Sequence, residues 1–308
     1  MMVLRMKNVS HPFCAVLLFS LYLRSSFGLF RGSSNVPLTA PHTPLTFVSS
    51  SSSSSPSEHK PRLERGKELK HPLNEEDLYQ AYKEIQADYA QKAFRKENNW
   101  KIHHDRDGIE VALLEHPADP TCPYVRMKAV FPTSVERVWD FLSLHNWDRT
   151  MPKMDPFYEG VTIFGEFLYN KVHMILCRKR TKRILAFSKR DMVFLSVTDE
   201  PLPDGTWVSG TVAVRTPQIP REPGYTRAFQ DSVAFYKPIE GNTKTALTIV
   251  CRIDLNDSGH DGSGGFIPMW LYVKTVGRTG ALSVQNMKNA LEEELAHERR
   301  RTIATLGE

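Results

Sequence analysis

From Asn74 the chain places Leu78, Tyr82, Ile85 and Tyr89 at helical spacing, behind a capping asparagine and an acidic first turn of Glu75, Glu76 and Asp77. This predicts a helix that packs by a single stripe. The period then shortens to two. Trp100 to Ile102 and Ile109 to Leu114 flank Asp107-Gly108, a hairpin turn signal, and the strand pattern Tyr124 to Phe131 follows Pro117, Pro120 and Pro123. Thr133 and Glu136 read as the capping box of a short helix with Val135, Val138, Trp139 and Leu142 on one face. Five segments rich in β-branched and aromatic residues come next, Phe167 to Arg178, Asp191 to Val197, Thr206 to Val214, Tyr225 to Pro238 and Lys244 to Leu255, each bounded by turn residues.

The last pattern is helical again. Val276, Val284, Met287, Leu291 and Leu295 form a stripe that can lie across a sheet, while Met269 to Val273 is apolar nearly all round. Gly277 and Gly280, each costing ~1 kcal/mol against alanine inside a helix, flatten one side of it or ease its bending. With no internal repeat and no second domain, the order of elements predicts an α+β domain in which a curved antiparallel sheet is closed by the last helix. The polar run Asp254 to Gly265 ahead of that helix reads as a flexible connection, with Gly264 and Gly265 as a hinge.

Composition changes this picture mainly at the N-terminus. The chain has 308 residues, 41% hydrophobic and 24% charged, enough for a domain of over two hundred residues with a sizeable core. Its net charge is +5, but Arg5, Lys7, Arg24 and Arg31 precede the first acid, Glu58, which leaves the remainder at +1 and argues against a polyanion-binding body. The basic start and the apolar run Phe13 to Leu23 have signal-peptide proportions, too short for a bilayer-spanning helix, with Ser26 and Gly28 suited to cleavage. Residues 29–73 begin acid-free, are rich in Ser and Pro, and include the run Ser49 to Ser55, which cannot build a packed core. The expected organisation is a signal peptide over 1–28, a Ser/Pro-rich linker or transit segment over 29–73, a folded domain over 74–300 and a tail over 301–308. Delivery into the secretory membrane system follows. An acid-free Ser-rich stretch after a signal resembles the bipartite plastid leaders of algae with complex plastids; an ordinary luminal or secreted protein fits as well, and a mitochondrial presequence fits less closely.

Known catalytic signatures are missing. There is no Gly-x-Ser-x-Gly elbow, His-Glu-x-x-His pair, Walker loop or CxxC. His103, His104 and Asp105 are neighbours on an extended segment and so point to alternating faces. Asp254, Asn256, Ser258 and Gly259 imitate a calcium loop, but Gly265 stands where its bidentate Glu belongs. Cys14 lies in the leader, and Cys122, Cys177 and Cys251 are expected as buried thiols. No cofactor and no metal is expected.

Three stretches together resemble one family. Asn146 to Met154 (NWDRTMPKM), Ser188 to Val197 (SKRDMVFLSV) and Gly264 to Val273 (GGFIPMWLYV) look like the ordered landmarks of the START lipid-transfer domain, and Glu222 to Ala228 (EPGYTRA) resembles the step between the last two. The wording is closest to the phosphatidylcholine transfer protein group. The resemblance covers about Asn74 to Ala296. It implies a helix-grip fold with an internal hydrophobic cavity between the curved sheet and the terminal helix. The implied activity is non-enzymatic: one phospholipid or sterol-like lipid is held in the cavity and moved between membranes, with the helix as lid. Two departures bear on the ligand. Ser196 stands where sterol-binding relatives carry a cavity arginine, and Leu144 where the phosphatidylcholine binders carry their phosphate-contacting arginine. Arg126, Arg178 and Arg227 are substitutes for that contact, each more simply a solvated side chain. Arg190 and Asp191 are expected to support the fold.

A lipid tail gains ~0.8 kcal/mol per buried methylene, so an apolar lining is expected. Strand alternation groups Met192 with Phe194, then Phe229, Val233 and Phe235, and then Leu247, Ile249, Cys251 and Ile253. With Trp270, Val273 and Gly277 from the lid, these sets are the candidate lipid contacts. Arg178, Lys179, Arg180, Lys182 and Arg183 form a basic stretch that suits transient contact with an anionic membrane or a solvated hairpin tip. Nucleic acid is not an expected partner, and no oligomeric state is predicted. Two other classes fit the same scaffold, an enzyme of polyketide cyclase or aromatase type and a scaffold with a collapsed cavity.

Overall fold

A computed structural model describes residues 66–69, 73–95, 99–119, 122–183, 188–255 and 269–306, with only the backbone described over 269–278 and 303–306. The leader, the connection after Leu255 and the hinge at Gly264 and Gly265 therefore lie outside the described residues. The strands are β1 (Lys67–Glu68), β2 (Lys101–Arg106), β3 (Ile109–Leu114), β4 (Tyr124–Phe131), β5 (Tyr158–Tyr169), β6 (Val172–Thr181), β7 (Lys189–Thr198), β8 (Trp207–Arg215), β9 (Tyr225–Ile239) and β10 (Lys244–Asp254). The helices are α1 (Glu75–Phe94), α2 (Val135–Leu142), α3 (Trp147–Met154) and α4 (Met269–Leu306), with a single 3₁₀ turn at Leu144–Asn146 between α2 and α3.

The main path of the sheet runs β2-β3-β4-β10-β9-β8-β7-β6-β5, antiparallel between neighbours, with β1 added in parallel to β8. Where β8 leaves the path, the first residues of β7 pair directly and in parallel with those of β9, from Lys189 against Tyr225 to Met192 against Ala228. The Arg190-Asp191 step sits at this junction. Asp191 is fully buried and accepts two hydrogen bonds from Arg227, while Arg190 donates to the Leu255 carbonyl and to Ser188. Its role is to hold β7 and β9 together where β8, which pairs with both further along, no longer lies between them.

Both sheet faces are covered, and this decides where each side chain goes. On the convex face α1 buries Leu78, Ala81 and Tyr82 against Val193, Leu195, Val212 and Val214. Asn74 caps it, its side chain accepting from the Glu76 N–H. Asp199 at the end of β7 fastens it by accepting from Tyr82, Lys83 and Gln86. Gly210 lets the two approach: a Cβ there would lie 2.6 Å from the Tyr82 ring. On the concave face α4 lays Ala281, Val284, Met287 and Leu291 into the core with Val111 and Met127. Gly280 fits directly against Val111, so close packing on the sheet accounts for this glycine. Gly277 falls in the stretch of α4 whose side chains lie outside the description.

Several elements differ from expectation. The apolar run Phe167 to Arg178 is the end of β5 and most of β6, separated by a turn at Asn170 and Lys171, both with positive φ. Asn tolerates that conformation, so the chain reverses inside what reads as one strand. The N-cap of α2 is Ser134, and the free N–H of Val135 donates to Asn242 from the β9–β10 turn, whose amide also bonds Glu136, in place of a Thr133 capping box. Residues 147–154 form a helix despite Pro152. Leu69 is buried beside β1, ahead of the expected start at 74, and α4 continues to Leu306 through the expected tail.

Candidate functional site

A cavity of about 170 Å³ lies between the concave sheet face and the helices α2, α3 and α4. Its helical wall is mostly apolar, with Trp139 and Leu142 from α2, Leu144 from the 3₁₀ turn, Trp147, Met151 and Met154 from α3, and Met287 from α4, alongside the polar Ser143, His145 and Ser283. The α2 and α3 part is held in place by the Trp147 indole, which donates to the Leu142 carbonyl, and by Asn146, which bonds Asp140. Glu294 of α4 accepts from Arg149 and Lys153 of α3, and Glu298 pairs with Arg137 of α2. These pairs fix the C-terminal half of α4 to the helical wall.

The sheet wall is different. Ile175, Phe194, Ala234, Ile249 and Cys251 contribute apolar surface, but Ser196 and Thr198 of β7, Ser209 and Thr211 of β8, and Gln230 and Ser232 of β9 line the same void. The strand register brings these polar side chains side by side, Ser196 opposite Thr211, Thr211 opposite Ser232, and Thr198 opposite Ser209. Trp139 packs edge-on against Trp207 and Tyr236 near this wall. The Tyr236 hydroxyl lies 3.3 Å from Ser209 Oγ. Across from the sheet, Ser283 of α4 also lines the void, buried and with no hydrogen-bond partner for its hydroxyl.

One ion pair is buried at the cavity. Lys179 of β6 donates to Asp155, just after α3, at 3.3 Å, with side chains 5% and 0% exposed. Burial pushes the Asp155 carboxyl above the usual range, against the pull of Lys179 and of the Phe157 N–H. The Lys179 ammonium also lies 5.8 Å from the centre of the Trp147 ring. At the opposite end His145 and His173 stack with ring centres 6.3 Å apart, and His173 faces Glu166 at 3.2 Å. His145 and Thr198 are exposed there, which places the mouth of the cavity between the 3₁₀ turn and the ends of β6, β7 and β8. Among the described residues there is no cluster of three metal-ligating side chains.

The expected contacts separate by sheet face. Phe194, Ile249 and Cys251 are on the cavity wall. Met192 is buried beside Phe194 and Cys177, and Leu247 and Ile253 belong to the core on the same side as α4. Val233 and Phe235 point the other way, into the cluster under α1 with Tyr89 and Ala93, and the Phe229 ring lies against Gly66. The grouping of β9 is thus corrected: Gln230, Ser232, Ala234 and Tyr236 face the cavity. Its apolar alternates are required by α1, because a sheet covered on both sides buries both parities. The side chains of Trp270 and Val273, and the surroundings of Gly277, lie outside what is described.

The basic stretch is corrected too. Lys179 is engaged inside the fold, Arg178 pairs with Glu222 and the buried Asp191, and Arg180 lies 3.5 Å from Glu222. Lys182 and Arg183 alone of the five are exposed. Arg126 is held by Glu110 and stacks over Trp100, and Arg227 is held by Asp191, so the three candidate phosphate contacts belong to surface and junction pairs on the convex side. The three cysteines are free and buried, with burial raising the Cys177 thiol pKa.

Comparison with solved structures gives the same architecture. Human StAR-related lipid transfer protein 5 matches with a TM-score of 0.60 and 21% identity, over 71% of this chain and 99% of that one. Human STARD10 matches with a TM-score of 0.57 and 13% identity, over 71% and 82%. The human StarD13 (DLC2) lipid transfer and protein localization domain matches at 0.51 and 20%, over 68% and 95%. Comparison with curated protein sequences returned no match. The START domain family model matches residues 80–294, from α1 to the part of α4 that clamps α3, and by that span the chain belongs to the START domain family.

Proposed function

We propose that this protein is a non-enzymatic lipid carrier that holds one lipid in the cavity and moves it between membranes. The observation that carries this reading is an internal void with a mostly apolar helical wall, inside a fold shared with proteins described as lipid transfer proteins. Two tryptophans in that wall, Trp139 and Trp147, give a direct test. Vesicles whose acyl chains carry bromine quench the fluorescence of these residues when a chain enters the cavity. Trp139→Phe/Trp147→Phe removes most of the quenchable signal if the lipid sits where proposed. Quenching that survives this double substitution places the lipid elsewhere, on the surface or against Trp270.

Within this reading the phosphatidylcholine group is not favoured, since Leu144 is an apolar part of the cavity wall and Arg126, Arg178 and Arg227 are engaged elsewhere. The lid is proposed to be the first turns of α4, because from Gly280 the helix packs on the sheet and the acid-base clamps at Glu294 and Glu298 hold its C-terminal half. A disulfide joining the first turn of α4 to a facing strand then slows lipid exchange, and unchanged exchange with the bond formed excludes the lid. Membrane contact is assigned to Lys182 and Arg183, which are exposed just after β6. The leader is proposed to direct the chain into the secretory membrane system; processing by microsomes during synthesis tests it.

A further inference from the structure

The sheet wall of the cavity carries more hydrogen-bonding groups than a tail-binding tunnel needs. Ser196, Thr211 and Ser232 form a row across three adjacent strands, flanked by Thr198, Ser209 and Gln230. With strands about 4.8 Å apart and same-face residues about 7 Å apart along each strand, the row of three and the Thr198–Ser209 pair beside it cover about 10 by 7 Å, with Gln230 one step beyond Ser232 on the other side. That is the footprint of a single sugar ring, much larger than one hydroxyl requires. Of these six side chains, Ser209 alone bonds another side chain. The opposite wall adds Ser283, a residue 1% exposed that lines the void and whose buried hydroxyl has no hydrogen-bond partner. A buried hydroxyl left unpaired is unfavourable, and a ligand group that reaches it removes the cost.

The charge balance selects among headgroups. Lys179 is the only lysine or arginine among the described lining residues, and Asp155 neutralises it. The imidazole of His173 already faces Glu166. A phosphate brought against the Ser/Thr rows would be desolvated with no lysine or arginine left to compensate it, whereas an uncharged polyol exchanges its water bonds for hydroxyl and amide bonds. A sterol offers a single hydroxyl and would leave most of the row to water.

We infer that the ligand is an uncharged lipid with a hydroxyl-rich headgroup of about one sugar ring, bound with that headgroup on Ser196, Thr211 and Ser232 and with its tails along the wall of α2 and α3. This rests on the carrier reading above and names the lipid class for the same cavity. The rows run toward Thr198 at the mouth, so the headgroup is placed last in and first out.

The test is a competition. The full-length chain is incubated with vesicles containing equal parts of monohexosyl diacylglycerol, phosphatidylcholine, phosphatidylglycerol and cholesterol, re-isolated, and weighed intact by native mass spectrometry. The expected result is a one-to-one adduct with the hexosyl lipid, at least tenfold above any other. Ser196→Ala and Thr211→Ala each lower that adduct about fivefold, the value of one neutral hydrogen bond, and Ser196→Thr, which keeps the hydroxyl, retains it. Thermal melts of the apo variants confirm that they fold, so a loss of adduct reports binding. A predominant phospholipid or sterol adduct overturns the headgroup assignment and leaves the carrier reading standing. No adduct with any lipid overturns both.

Discussion

Replacing Asp155 with asparagine leaves the Lys179 ammonium buried without its carboxylate, in a site where both side chains are almost fully enclosed. Removing one partner of a buried pair costs about 3–5 kcal/mol. At about 2–4 °C per kcal/mol for a domain of this size, the melting temperature falls by about 6–20 °C. Lys179→Met behaves differently, because the orphaned carboxyl can take a proton. Its pKa is already raised by burial even beside Lys179, and it rises further without it. A carboxyl with a raised folded-state pKa binds more protons in the folded than in the unfolded chain. The stability this contributes is complete below the unfolded value, near pH 4, and is lost as pH rises through the folded value. Lys179→Met is therefore least harmful near pH 4 and most harmful at pH 8. The double variant Asp155→Asn/Lys179→Met buries no charge and returns to within about 2 kcal/mol of the native chain. Urea titrations of the four proteins, followed by circular dichroism at pH 5 and pH 8, measure each term. Adding vesicles of phosphatidic acid raises the melting temperature of Asp155→Asn, whose ammonium is free to meet a phosphate, and leaves the native chain unchanged. A double variant no more stable than the worse single one refutes the coupling, and with it the argument that Asp155 removes the cavity's cation.

Other substitutions test other parts of the account. Gly210→Ala drives a methyl group into the Tyr82 ring, which its bond to Asp199 holds in place, and lowers stability by about 1–3 kcal/mol in urea titration. Burial acts to raise the Asp199 pKa, but Lys83 and Tyr82 outweigh it and hold the group below its ordinary value. Its contribution is present above about pH 4 and is lost as pH falls further; Asp199→Asn should abolish that part of the acid sensitivity. Glu294→Gln removes the charge that receives Arg149 and Lys153, and hydrogen exchange should rise along the C-terminal half of α4 before the sheet responds. Ser283→Ala deletes an unpaired buried hydroxyl, so the empty protein melts at the same or a higher temperature while lipid retention falls.

The order of elements and the closing helix were legible because each has its own period. Leu78, Tyr82 and Tyr89 mark α1, and Val284, Met287 and Leu291 mark the sheet-facing stripe of α4; all six are buried as that spacing requires. What alternation cannot show is which parity of a strand faces the cavity when both faces are covered. In β9 the apolar residues Val233 and Phe235 serve α1, and the polar alternates Gln230 and Ser232 serve the site. A signal for this was present: Ser196 and Thr198, Ser209 and Thr211, and Gln230 and Ser232 recur at alternate positions in three consecutive strands. Their coincidence across strands depends on register, which the strands' own sequences do not fix. The basic run Arg178 to Arg183 was misleading for a related reason, since its acids, Asp155, Asp191 and Glu222, are brought from elsewhere in the chain.

The most direct test of the central claim is native mass spectrometry of the full-length protein purified from cells, with lipid analysis of an organic extract of the same sample. The account predicts a single adduct of lipid mass at one-to-one ratio, and an uncharged, hydroxyl-rich lipid in the extract. A clean apo mass that stays apo after incubation with mixed liposomes contradicts it.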